Sequence, residues 1–145
     1  MQTKNELLIR WRIGRDDREV LQIDDRCYIE SMTQRDLKDL LADRSVIAVV
    51  AEDRGHILCY CIYQLGKNAI RILRMGVDPR ERRCGVATAM LDRLKDKVAN
   101  HRRTEITVEV AGHAIAAQLC LCRAGFVAEP MPLDQIRFTF RKEQQ

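Results

Sequence analysis

The sequence predicts an α+β domain: a mostly antiparallel sheet with helices packed on it. Three observations carry this expectation. Three β-rich segments follow one another between residues 45 and 77, separated only by short turns. After Asp78-Pro79 the apolar spacing changes from two to three or four, the period of a helix. The remainder alternates strand, helix and strand signals down to the C-terminal residues.

In chain order, Leu7 to Ile13 alternates weakly and reads as a first strand, which Gly14 breaks. Asp16 and Asp17 suit the positive end of a helix carrying Val20, Leu21, Ile23 and Asp24. Thr33, with Asp36 three residues on, signals a second helix through Leu37, Leu40 and Leu41. The β-branched run in Ser45–Glu52 predicts a buried strand. Asp53-Arg54-Gly55 turns the chain into a strand over Ile57–Leu65, and Gly66-Lys67-Asn68 turns it into another over Ala69–Val77. In that last strand Ile70, Ile72, Arg74 and Gly76 are expected on one face, with Arg71, Leu73, Met75 and Val77 on the other. Val86/Ala87, Met90/Leu91, Leu94 and Val98 then mark one face of a helix to about Asn100. Glu105–Val110 reads as a strand, Ala114–Arg123 as a short helix stopped by Ala124-Gly125, and Phe126-Val127 and Ile136–Phe140 as the last strands around a Pro130–Pro132 turn.

The 145 residues suit one domain, 1–145, with one core. Hydrophobic residues make up 46% and charged residues 32%, which excludes a disordered chain. The formal charge of +4 is small and dispersed, so no nucleic-acid partner is expected. No apolar run approaches the ~20 residues of a membrane span, and the first residues lack a signal peptide's apolar stretch. The expected location is cytoplasmic. There the six cysteines are expected as thiols; Cys59/Cys61 and Cys120/Cys122 have C-x-C spacing, but on the helix that spacing points the two side chains apart, and no histidine cluster completes a metal site.

The chemistry-bearing passage is Arg82-Arg83-Cys84-Gly85-Val86-Ala87-Thr88. The first turn of a helix has N–H groups without intrahelical acceptors, and with the helix dipole they form a site for phosphate. Gly85 admits close backbone approach, Ala87 is small, and Arg80, Arg82 and Arg83 bring positive charge. An arginine run beside a glycine is also common on solvated faces that bind nothing. Gly76 adds a second signal, because a glycine inside a strand marks a bulge or a place where a ligand meets backbone.

Val77-Asp78-Pro79, followed by Arg82-x-x-Gly85-x-Ala87 and the amphipathic helix, resembles the acetyl-CoA motif of the GCN5-related N-acetyltransferase (GNAT) family. Val108-Glu109-Val110 and Ala124-Gly125-Phe126 resemble its fifth strand and the end of the helix after it. Within the family, residues 70–126 look most similar to the ribosomal-protein N-terminal-alanine acetyltransferases. The resemblance implies the GNAT-like acyl-CoA N-acyltransferase fold, acetyl-CoA as co-substrate, and direct acetyl transfer to a primary amine, either a protein N-terminus or a small-molecule amine. It implies that the backbone of Met75, Gly76 and Val77 holds the pantetheine arm and polarises the thioester, and that amides from Arg82 through Thr88 cradle the pyrophosphate. Dimers are common in the family, and Gln135–Phe140 is expected to offer an edge for one.

Transfer from a thioester to an amine requires removal of a proton from the amine and donors for the developing oxyanion. The resemblance places a proton-relaying glutamate at Glu109; strand alternation alone puts it on a solvent face with Glu105 and Thr107. His113 is the rival base, while His56 and His101 read as structural. The family's usual acid, a tyrosine four residues before the Gly of Gly-Phe, corresponds to Leu121, which has no proton to give. Water could supply the proton instead, and Tyr28, Tyr60, Tyr63 and Cys120 are the candidate substitutes within the chain. The missing acid also raises a second reading, a non-catalytic module that senses acyl-CoA.

Overall fold

The structure, a computed structural model, describes residues 7–81, 85–100 and 102–142. Its strands are β1 (Leu8–Trp11), β2 (Val46–Asp53), β3 (His56–Leu65), β4 (Ala69–Val77), β5 (Glu105–Ala111), β6 (Val127–Met131) and β7 (Gln135–Arg141). The helices are α1 (Asp17–Cys27), α2 (Gln34–Leu41), α3 (Val86–Ala99) and α4 (Ile115–Arg123). This is the expected order, and α2 begins on the expected capping box: the Asp36 amide donates to Thr33 Oγ1 at 3.1 Å and the Thr33 amide to Asp36 Oδ2 at 2.9 Å.

The seven strands form one sheet in the order β1-β2-β3-β4-β5-β7-β6. Pairings are antiparallel except β4 with β5, which run parallel because α3 carries the chain across between them. One face of the sheet packs on α3 and α4, burying Cys61, Tyr63, Ile72 and Ile106 against Met90, Leu94 and Leu121. The other face packs on α1 and α2, burying Tyr60 and Ile62 against Val20, Ile23 and Leu37. Alternate residues of β3 therefore serve two separate cores.

Three expectations need correction. Gln135–Phe140 is not an edge, because the β6–β7 hairpin folds back so that β7 pairs with β5 on one side and β6 on the other. The edge on that side is β6. Pro130 belongs to β6, opposite Ile136, rather than to a turn; an edge strand tolerates a residue without an N–H. Finally, β4 does not alternate regularly. Tyr63 pairs with Ile72 and the next residue back, Ile62, pairs with Arg74, so Leu73 is a bulge. The extra residue returns Met75 and Val77 to the face of Ile70 and Ile72, against α3, and turns Arg74 to the α1 side.

Candidate active site

The bulge at Leu73 coincides with a parting of two strands. The β4–β5 ladder ends at Ile72↔Val108, yet β4 continues to Val77 and β5 to Ala111. Beyond Ile72 the β5 side of β4 therefore has no strand partner. Strand geometry shows which groups face this gap. The Asp78 amide donates to Leu58 at 2.8 Å, making Leu58/Asp78 a hydrogen-bonded pair. Pairs alternate in an antiparallel ladder, so Tyr60/Gly76 is also hydrogen-bonded while Cys59/Val77 and Cys61/Met75 are not. The main-chain groups of Met75 and Val77 thus point away from β3, into the gap. They can hold an extended ligand with amide and carbonyl groups of its own.

Gly76 has a different reason to be glycine. Its main-chain groups face β3, and a Cβ at this position would lie 2.7 Å from Cε1 of Tyr60. The residue makes room for a buried ring on the α1 side; the bulge lies three residues earlier.

A charged network braces the same segment. Asp24, fully buried on α1, receives both arms of Arg74 at 2.6 and 2.9 Å, the Tyr60 hydroxyl, and the Met32 amide at 2.5 Å. Burial acts to raise the Asp24 pKa, but hydrogen bonds from Arg74, Tyr60 and Met32 outweigh it and hold the carboxyl below its ordinary range. Arg74 also donates to the Glu30 carbonyl at 2.7 Å and lies over the Tyr28 ring, 3.8 Å from its centroid. The Tyr28 hydroxyl in turn donates to the Met75 carbonyl at 2.8 Å, and the Cys27 thiol donates to the Val77 carbonyl at 3.3 Å. The Asp24–Arg74 pair is not announced by any motif in the sequence. Its signal is an Asp among the apolar positions of one helix and a second Arg, after Arg71, in a mostly apolar strand.

Arg82, Arg83 and Cys84 lie outside the described residues. Gly85 precedes α3 at φ +76°, a left-handed conformation that a side chain would strain. Val86, Ala87 and Thr88 form the first helical turn, and the first internal acceptor, the Gly85 carbonyl, is taken by Ala89 at 3.0 Å. This leaves the amides of residues 86–88 as the helix's anion-binding end. Arg80 is held at 2.8 Å by the buried Asp78, so its charge stands at the strand–helix junction.

Glu109 is the first β5 residue beyond the last β4–β5 pair. Val108 and Val110 pack toward α3 and α4, so Glu109 faces the opposite side, where Arg137 of β7 donates to it at 3.2 Å. It lines a groove of about 590 Å³ with Arg71, Thr107, Glu129 and Arg137. His113 is exposed in the turn after β5, His56 is exposed at the β2–β3 turn, and His101 lies outside the described residues. Leu121 is buried against the α3 core, so α4 supplies no proton donor at that position. Tyr60 is committed to Asp24, and Cys120 is a half-buried thiol whose pKa burial raises. Of the substitutes, Tyr28 alone is seen bonded to the free edge of β4. Among the described residues no group of three or more metal-ligating side chains occurs.

The acetyltransferase (GNAT) family model matches residues 17–126, most of the chain. The chain belongs to the acetyltransferase (GNAT) family. It is accordingly an acetyl-CoA-dependent N-acetyltransferase, and the free β4 edge and the Gly85 helix start lie within the matched region. Solved structures share the GNAT fold. The ribosomal-protein-S18-alanine N-acetyltransferase from Escherichia coli is 16% identical, with 92% of this chain and 90% of that one covered at a TM-score of 0.78. The PaiA N-acetyltransferase from Thermoplasma acidophilum, solved with coenzyme A, is 11% identical, with 94% and 99% covered at 0.84. Ard1 from Thermoplasma volcanium is 22% identical, with 92% and 95% covered at 0.79. Among curated proteins, none matches this sequence.

Proposed function

We propose that the acetyl group is carried on the free edge of β4 and passed to a protein N-terminus or another primary amine on the Glu109 side of the sheet. The parting of β4 and β5 beyond Ile72↔Val108 supports this reading most directly. It leaves an edge for the amide-bearing arm of acetyl-CoA, with the carbonyl of the thioester at Met75 and the arm at Val77. The pyrophosphate then lies at the start of α3, on the amides of Gly85 to Thr88; Arg82, Arg83 and Cys84, the rest of the stretch that the family resemblance assigns to it, lie outside the described residues. Glu109, beside the gap and on the opposite face from α3, takes the amine's proton directly or through a water. A protein N-terminus as acceptor is supported by the likeness to the ribosomal-protein-S18-alanine N-acetyltransferase from Escherichia coli.

Thiol release from acetyl-CoA, measured with a panel of N-terminal peptides and small amines, tests the acceptor. Acceptor-dependent release supports the proposal, whereas coenzyme A binding without release across the panel favours the sensor. Glu109→Gln is expected to lower kcat at neutral pH by about 10²–10⁴-fold, the range for loss of a general base, with coenzyme A affinity nearly unchanged. An unaltered pH–rate profile removes Glu109 from the reaction.

A further inference from the structure

Tyr28 has a hydroxyl where the reaction needs a donor. We propose that Tyr28 is a catalytic residue, its O–H joining the Met75 N–H to form a two-donor oxyanion hole. This assignment rests on the placement of the thioester at Met75 given above.

The Tyr28 hydroxyl donates to the Met75 carbonyl at 2.8 Å, and its oxygen lies 3.4 Å from the Met75 nitrogen. The second contact is long for a hydrogen bond, so the Met75 N–H is nearly unused. Two donors about this far apart can both reach one oxygen at the usual 2.7–3.1 Å. The phenol needs only to rotate its O–H from the Met75 carbonyl to an oxygen seated at the Met75 amide.

The Tyr28 ring is held for this purpose on one face. Arg74 stacks on its face at 3.8 Å, and Arg74 is itself fixed by two hydrogen bonds to the fully buried Asp24. The Tyr28 amide also donates to the Asp24 carbonyl at 3.0 Å, closing α1. Asp24 therefore holds the Tyr28 backbone through its main-chain carbonyl and, by way of Arg74, the ring through its carboxylate. A guanidinium over the ring favours the buildup of negative charge near the phenol oxygen as it donates. Burial pushes the Tyr28 pKa up, which keeps the hydroxyl protonated as a donor.

In the step itself, the amine nitrogen's lone pair forms the new C–N bond to the thioester carbon. The carbonyl π electrons move to oxygen, where the Met75 N–H and Tyr28 O–H receive the charge. The oxygen then re-forms its double bond and the C–S bond breaks, with its electrons leaving on sulfur. The proton on nitrogen goes to Glu109 or water. A thiol's reference pKa of ~8.5 makes the thiolate an adequate leaving group, so a leucine at position 121 does not stop the reaction.

Tyr28→Phe keeps the ring beneath Arg74 and removes only the donor. Loss of one oxyanion-hole donor is expected to lower kcat by about 10²–10³-fold, with KM for acetyl-CoA changed by only a few-fold. The direct readout is the infrared carbonyl stretch of ¹³C-labelled acetyl-CoA bound to the full chain. It should lie lower in the parent protein than in Tyr28→Phe, because a second donor weakens the C=O bond. Equal frequencies and equal kcat overturn the assignment. Tighter binding of acetyl-CoA by Tyr28→Phe with undiminished kcat also overturns it, since Tyr28 is then only an obstacle on the strand edge. If acetyl-CoA fails to bind the parent protein at millimolar concentration, the placement at Met75 falls and this assignment with it; binding with no Tyr28-dependent shift sinks only the assignment.

Discussion

The two halves of β4 have similar apolar residues and opposite surroundings. From Ile70 to Ile72 the strand is paired on both sides, to β3 and β5, and Ile70 and Ile72 are buried. From Arg74 to Val77 it keeps β3 and loses β5. The first half is held by the sheet. The second is held from outside the sheet by α1, through Asp24, Arg74, Tyr28 and Cys27. A strand edge left unpaired inside a domain is a cost in unsatisfied backbone groups. Here the cost is met by side chains, which a ligand can displace or join, whereas a neighbouring strand could not be moved without opening the sheet.

The largest expected effect breaks the external support. Asp24→Ala leaves Arg74 part-buried without its carboxylate and removes the acceptor of Tyr60 and of the Met32 amide. Removing one partner of a buried pair typically costs about 3–5 kcal/mol; because Arg74 reaches some solvent, a loss near the lower figure is expected in urea denaturation. The same network sets an acid limb. Because the folded pKa of Asp24 lies below its unfolded value of ~3.9, the stabilisation is complete above about pH 5 and is lost as the pH falls through the folded pKa. Asp16, bonded by Arg10, and Asp78, bonded by Arg80, act in the same direction. The melting temperature should therefore hold steady above pH 5 and fall in acid, less steeply in Asp24→Ala. A loss of stability smaller than 1 kcal/mol, with an unchanged acid limb, would mean that α1 does not support the strand.

A smaller effect tests the packing beneath the free half. Gly76→Ala brings a methyl group to 2.7 Å from the Tyr60 ring. That ring is buried and tied to Asp24, so it has little freedom to move. Overpacking of this kind costs about 1–3 kcal/mol. Full stability in the variant would mean that the glycine serves a ligand rather than Tyr60.

The sequence makes the element order readable because each element announces itself locally: the β-branched run of β2, the Thr33/Asp36 cap of α2, the apolar spacing of α3. The start of α3 at Gly85 is readable for the same reason, since its signal lies within one short passage. What was not readable depends on pairs distant in sequence. Ile70, Ile72, Met75 and Val77 look like two alternating phases of one strand, and only the register against β3 reveals that Leu73 is extra. Gly76 reads as a ligand contact until Tyr60 is found against it. Tyr28 reads as one of several tyrosines until α1 brings it to Met75, 47 positions away. Gln135–Phe140 reads as an edge because nothing local tells a hairpin on which side its last strand will dock.

The finest test separates the halves amide by amide. In native-state hydrogen exchange, amides bonded within the sheet open only with large cooperative units, whereas groups outside such bonding exchange through small local openings. The amides of Met75 and Val77 face the gap, and the Met75 amide makes only a long contact, 3.4 Å, to the Tyr28 oxygen. Gly76 and Asp78, whose amides face β3, stand between and beyond them in the chain. Exchange should therefore alternate, fast at Met75 and Val77 and slow at Gly76 and Asp78, within one short stretch of strand. Saturating coenzyme A should slow Val77 by more than the uniform increase that ligand binding gives to globally opening amides. Acetyl-CoA should slow Met75 as well, because the acetyl oxygen is the one atom that distinguishes the two ligands at this amide. Equal protection of Met75 by both would place the carbonyl elsewhere on the strand while leaving the free edge itself intact.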